Sequence, residues 1–138
     1  MMRIVSFLAL IILVSCNRVE QVTNHYTTYQ EAQADKFFDH GWIPEEAIYP
    51  SMTNIFNRSH IDYSTCIFSY ELEETELEDL RKKIFATEAF IEMPRGIRQP
   101  KEWVDVLTNA QNYVLKSGDE IIYIAIENNG NTVLGWRN

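Results

Sequence analysis

Cysteine is nearly absent from these 138 residues, with two in all. A disulfide framework of the kind that stabilises many small exported domains is therefore excluded, and the fold must rest on hydrophobic burial. Long apolar runs are missing as well. The greasiest stretch, Ile4 to Val14, is interrupted by Ser6 and falls far short of the about 20 residues that a membrane-spanning helix needs. Basic residues are scarce, 12 Lys+Arg against 20 Asp+Glu for a net charge of −8. Nucleic acid and anionic headgroups are poor partners for such a chain, because phosphate binding needs clustered positive charge. The sequence contains no nucleophile elbow, no phosphate-cradling glycine loop and no zinc-ligand spacing, so neither a cofactor nor a metal is expected. Internal repeats and low-complexity segments are lacking too.

What is present begins at the N-terminus. Met1-Met2-Arg3 carries one positive charge ahead of the apolar run, the n-region and h-region of a secretory segment that is set aside in fold reasoning. The run stops at Leu13-Val14-Ser15-Cys16, which resembles the lipobox of bacterial lipoproteins: branched apolar, small, small, cysteine. The resemblance implies a diacylglyceryl group on the Cys16 sulfur, cleavage between Ser15 and Cys16, and acylation of the new amine. Two or three acyl chains, at about 0.8 kcal/mol per buried CH₂, make a stable anchor where one chain does not. The expected address is the cell membrane, with the lipid as the membrane contact. Asn17 in place of an aspartate after the lipidated cysteine leans toward the periplasmic face of an outer membrane. The expected organisation is a signal peptide over 1–15, a lipidated tether over 16–25 and a single domain over 26–138. Loss of Arg3 leaves 11 basic against 20 acidic residues, a net charge of −9.

Hydrophobic periodicity then gives an α+β reading. In "TTYQEAQADKFFDHGW", Thr28 and Glu31 form a capping box, Ala34, Phe37 and Phe38 share a face, and Gly41 supplies a left-handed stop. Pro44 and Pro50 bias Ile43 and Tyr49 to extended backbone, and Pro50 opens a short helix with Ile55 and Phe56. A strand runs from about Tyr63 to Leu72, with Cys66, Phe68 and Tyr70 on one face. Cys66 there reads as a small buried hydrophobe, with a redox or intermolecular role as the alternative. A helix follows, with Thr75 as N-cap and Leu77, Leu80 and Ile84 at core spacing, acidic at its start and basic at its end as the macrodipole favours. "MPRGIRQPKEW" is a loop and the one local positive patch, and a short helix follows around Trp103 to Leu107. "NYVLKSGDEIIYIAIENNGNTVLGW" is a three-strand meander with Asn129-Gly130 as a hairpin signal. Its middle run, Ile121 to Ile126, lacks a polar face and reads as a strand covered on both sides. The predicted fold is thus a small antiparallel sheet, the C-terminal meander plus one earlier strand, with helices packed on one face.

From Tyr26 to Tyr70 the chain also resembles a group of small uncharacterised bacterial lipoproteins that share a Gly-Trp-x-Pro turn. The matching positions are Tyr29, Ala32, Gly41, Trp42, Pro44, Pro50, Ile55, His60 and Asp62, with one residue between His60 and Asp62 where the group has two. The resemblance implies a domain and carries no activity.

Candidate chemistry is thin. His60 and Asp62 could orient one another as a general base with Ser59 as nucleophile, which would make a small hydrolase; a polar loop that caps backbone donors explains the same residues. A metal site from His25, His40 and His60 requires spatial convergence. Trp42, pinned between a helix stop and a proline, is either a core lock or an exposed recognition anchor. Glu45, Glu46, Glu73 and Glu74 lie in turns or before a cap and form the candidate acidic binding surface, with Trp42 or Trp136 as the apolar alternative. The expectation is a non-enzymatic, lipid-anchored envelope protein that binds a cationic envelope protein, or a basic toxin if it serves as an immunity protein.

Overall fold

Stretches in which β-branched and aromatic residues recur pair into one antiparallel sheet in the computed structural model, which describes residues 21–88 and 92–138. Cys16, the expected signal peptide and tether residues 16–20 lie outside the described residues. The strands are β1 (Gln21–Thr28), β2 (Thr53–His60), β3 (Thr65–Glu71), β4 (Phe85–Ala86), β5 (Ala110–Ser117), β6 (Glu120–Glu127) and β7 (Thr132–Arg137). Their order is β1-β2-β3-β7-β6-β5-β4. The α+β fold expected from the sequence is the one observed. The meander β5-β6-β7 joins β3 through β7, with Ile67 opposite Trp136 and Phe68 opposite Gly135.

The sheet is larger than expected, for two local reasons. Gln21–His25, read as tether, is the first half of β1, with Gln21 opposite His60 and Val22 opposite Ser59. An edge strand that stays half wet keeps polar side chains and so lacks the apolar alternation that marks a strand in sequence. Ile55 and Phe56, read as helical, lie in β2 on opposite faces of the sheet, Ile55 in one core and Phe56 against the other. Sheet pairing overrides the weak helix signal of Pro50 there; the turn that does form, a 3-10 turn over Glu45–Ala47, follows Pro44 instead.

Both faces are covered. On the main face, Ile55, Cys66, Phe68, Tyr70, Leu115, Ile122, Ile124, Ile126 and Val133 pack under the segment 29–52 and the helix that follows β3. That segment starts with α1 (Tyr29–Ala34), whose N-cap Thr28 accepts the Glu31 N–H at 3.2 Å while the Glu31 carboxylate accepts from the Thr27 N–H at 2.9 Å. Lys36, at φ 56°, ends α1 early, so Phe37 and Phe38 fall in a separate 3-10 turn that Gly41, at φ 73°, closes. The inward residues are Ala32 and Phe37, whereas Ala34 is exposed.

The next helix, α2 (Glu74–Lys83), buries Leu77 and Leu80 and is capped from elsewhere in the chain. Ser51 Oγ accepts from the Glu73 N–H and the Ser51 N–H donates to the Glu76 carboxylate, both at 3.0 Å. Glu73, rather than Thr75, therefore occupies the N-cap position. The helices do not all lie on one face. Trp103, Val106 and Leu107 of α3 (Trp103–Thr108) pack on the second face against Ile67, Ala125, Leu134 and Trp136. This is why β6 lacks a polar face: Ile122, Ile124 and Ile126 serve one core and Ala125 the other.

Candidate functional site

The Gly41-Trp42-Ile43-Pro44 turn is tied to the sheet by contacts from several distant elements. The Cys66 thiol donates to the Trp42 carbonyl at 3.5 Å, and the Arg137 guanidinium donates to the Gly41 carbonyl at 3.1 Å. The buried Tyr70 hydroxyl donates to the Ala47 carbonyl at 2.8 Å, while Lys83 Nζ donates to the Glu46 carbonyl at 3.2 Å. Ser117 Oγ donates to the Glu46 carboxylate at 2.9 Å, which closes the β5–β6 turn onto the same segment. Tyr49 adds a polar lock to α2. Its hydroxyl donates to Asp79 at 2.9 Å, and Lys83 lies 3.2 Å from Asp79 and 4.8 Å from the Tyr49 ring centre. The hydrogen bond from Tyr49 is the main reason that the Asp79 carboxyl is held below its ordinary value, with Lys83 adding to it.

Beside this fixed turn a groove opens between Phe38, Ile43, Pro44 and Ile48 on one wall and the β5–β6 turn on the other, with Glu45, Asp119, Glu120 and Arg137 at its rim. A second depression, lined by Tyr29, Gln33, Lys36 and Asp39, shares Phe38, Glu45 and Ile48 with the first. The two make one trough along residues 29–48. The Tyr29 and Phe38 rings stack within it at 5.3 Å. Arg137 is engaged by Glu120 at 2.9 Å as well as by the Gly41 carbonyl, so the rim presents chiefly carboxylates.

The sequence-predicted residues divide. Trp42 is half-buried against the main core, and its backbone holds the groove's base. Glu45 is on the rim; Glu46 is engaged by Ser117. Glu73 and Glu74 lie elsewhere, with Leu72, Glu78, Arg81 and the β6–β7 turn Asn128–Asn131. That turn and the β5–β6 turn sit at opposite ends of the eight-residue β6, about 24 Å apart at about 3.4 Å per residue. The four glutamates are therefore two sites, not one surface. Glu74 also falls in the first turn of α2, where the helix dipole accounts for its charge. Trp136 is corrected outright: it is 2% exposed, in the second-face core beside Tyr123 at 6.2 Å, and offers no recognition surface.

Of the residues named for a hydrolase, Ser59 is not placed beside the His60 ring. Ser59 and His60 are neighbours on β2 and so project to opposite faces, with Ser59 1% and His60 3% exposed. His60 stacks on Tyr63 at 4.3 Å, and Asp62 is exposed in the β2–β3 turn. No group of three or more metal-ligating side chains occurs among the described residues. His25 and His40 are exposed while His60 is buried. Sequence reasoning missed Phe38 as a wall, along with Ile48, Asp119, Glu120 and Arg137. Asp119 carried the same signal as Glu45, an acidic residue in a turn; the others are joined only by the sheet order.

The sequence model of a family described as the YbbD head domain matches residues 20–71. Over that stretch, under half of the chain, this protein is similar to that family. The matched residues comprise β1, the trough segment, β2 and β3. No curated protein and no solved structure matches the chain.

Proposed function

We propose that this chain is a lipid-anchored cell-envelope protein whose domain works without catalysis, by holding a basic protein in the trough along residues 29–48. The Leu13-Val14-Ser15-Cys16 motif supports the anchor. The observation that carries the binding role is the composition of the trough: half-buried Tyr29, Phe38 and Ile48 as walls, with the carboxylates Asp39, Glu45 and Asp119 outnumbering Lys36 at the rim once Glu120 and Arg137 are paired with one another. Apolar and aromatic contact at the centre with charge at the edge is the usual arrangement of protein interfaces. The charge steers encounter while the buried walls slow dissociation.

The test is a pull-down from envelope extract with the detergent-solubilised lipoprotein, followed by kinetics with the partner obtained. Association should slow steeply as salt rises past 0.1 M, where the Debye length is about 10 Å. Glu45→Gln with Asp119→Asn should lower the on-rate, and Phe38→Ala should raise the off-rate. A partner held equally well by both variants would show that the trough is not its site. Cys16→Ser should leave an unlipidated, uncleaved precursor; normal acyl labelling of that variant would refute the anchor.

A further inference from the structure

The end of the sheet at which β1 begins carries most of the exposed large apolar side chains of the described residues. Ile61 is 60% exposed, Ile121 52%, Tyr63 49% and Val22 38%. The strand register sets them at one end of the sheet: Gln21 lies opposite His60, just before the β2–β3 turn that holds Ile61 and Tyr63, and the start of β6 reaches the same end through β7. Tyr63 and Ile121 line one shallow depression. The opposite end of β6 carries instead the polar run Asn128-Asn129-Gly130-Asn131. The first end is also the one beside the local positive patch. The Arg95 guanidinium lies 5.6 Å from the Tyr63 ring centre, and the Gln21 amide donates to the Gly96 carbonyl at 2.8 Å. Asp62 and Asp119 sit in the same two turns and Glu120 opens β6 beside them, so the surface is mixed in charge. It adjoins the trough at Glu120 and Arg137, but Ile121 projects to the sheet face opposite the one that residues 29–52 cover.

We infer that this end of the domain seats on the bilayer that holds the lipidated Cys16, with Ile61, Tyr63 and Ile121 in the headgroup layer. The inference rests on the lipid-anchor reading above and adds an orientation to it. Covalent reach makes the occupant specific. Cys16 is five residues before Gln21, and an extended chain spans at most about 3.6 Å per residue, so β1 starts within about 18 Å of the anchored sulfur. The end of the domain closest to the anchor is thus the end with exposed Ile, which gains by leaving water, and exposed Tyr, which favours the membrane interface. A net negative domain gains little from anionic lipid, so the seating is apolar and proceeds on neutral headgroups, with Arg95 beside the phosphates.

The experiment uses the full lipidated protein in phosphatidylcholine vesicles, with an environment-sensitive dye on Ile121→Cys or, at the far end, on Asn129→Cys. Cys66 is fully buried and does not compete for label. The Ile121 label should emit to the blue and lose quenching by aqueous iodide, while the Asn129 label stays fully quenched. Adding Ile61→Asp and Tyr63→Asp should restore quenching at position 121 without loss of flotation. Flotation with equal quenching at both positions overturns the seating and leaves the anchor intact. Failure of the lipidated protein to float with vesicles overturns both.

Discussion

The two faces of the sheet are covered by different means. The main face is buried by a cover that is itself apolar: Phe37, Ile43, Met52, Leu77 and Leu80 continue the core into the layer above. The second face keeps a smaller core under α3, and residues 95–98 are drawn over β1–β3 by polar contacts. Gln21, Arg58 and Thr65 side chains donate to the carbonyls of Gly96, Arg98 and Arg95. Apolar burial contributes in proportion to area, whereas a net hydrogen bond contributes only about 1 kcal/mol. The main face should therefore set global stability, and the second-face loop should open first.

The largest expected effect follows from this. Phe68 is fully buried at the centre of the main face, and Phe68→Ala should cost about 3 to 5 kcal/mol in denaturant unfolding. Next is a glycine that exists for the same ring. A Cβ on Gly135 would lie 2.1 Å from Phe68 Cζ, so the ring covers β7 only because position 135 is bare. Gly135→Ala should destabilise by about 1 to 3 kcal/mol through forced repacking. Restored stability in the Phe68→Leu, Gly135→Ala double variant would identify the ring as the cause; persistence of the loss would place it in the β7 backbone.

The comparison also explains what was legible in the sequence. Thr28 as a cap, the Leu77 and Leu80 stripe, the Cys66-Phe68-Tyr70 face and the turns of the meander are encoded within a few residues of themselves, and all are found in the structure. The second face is encoded non-locally. Arg58 and Arg98 give no hint of one another until β2 and the loop are brought together. Strand β1 was unreadable because an edge strand needs no apolar alternation. The trough was half legible: turn chemistry marked Trp42 and Glu45, but the wall opposite comes from a hairpin more than seventy residues away.

A smaller effect would break the comparison if it proved large. Arg58→Ala removes the guanidinium contact to the Arg98 carbonyl and the stacking on Phe56 at 5.2 Å. About 1 kcal/mol of global stability should be lost. Native-state hydrogen exchange should quicken over 92–102 while β3, β6 and β7 keep their protection. A global loss near that of Phe68→Ala would mean that the second face is as integral as the first.

The smallest effect reports on the main face from inside it. Burial pushes the Cys66 thiol up to about 12 from an ordinary value of 9.0, only partly offset by Arg137. The folded state therefore keeps this proton where the unfolded chain releases it. The stability linked to Cys66 is whole below pH 9 and is lost as pH rises toward 12, with a limiting slope of about 1.4 kcal/mol per pH unit. Tyr70, Tyr49 and Tyr26, also raised by burial, join chiefly above their ordinary value of 10.0, so between pH 9 and 10 the thiol leads. Cys66→Ala should flatten the stability profile in that interval while leaving the steeper fall above it. At pH 8 the folded wild type should resist a thiol reagent that modifies the unfolded chain at once. Labelling of folded protein at the unfolded rate would show that the main face opens as readily as the second, and would remove the distinction between them.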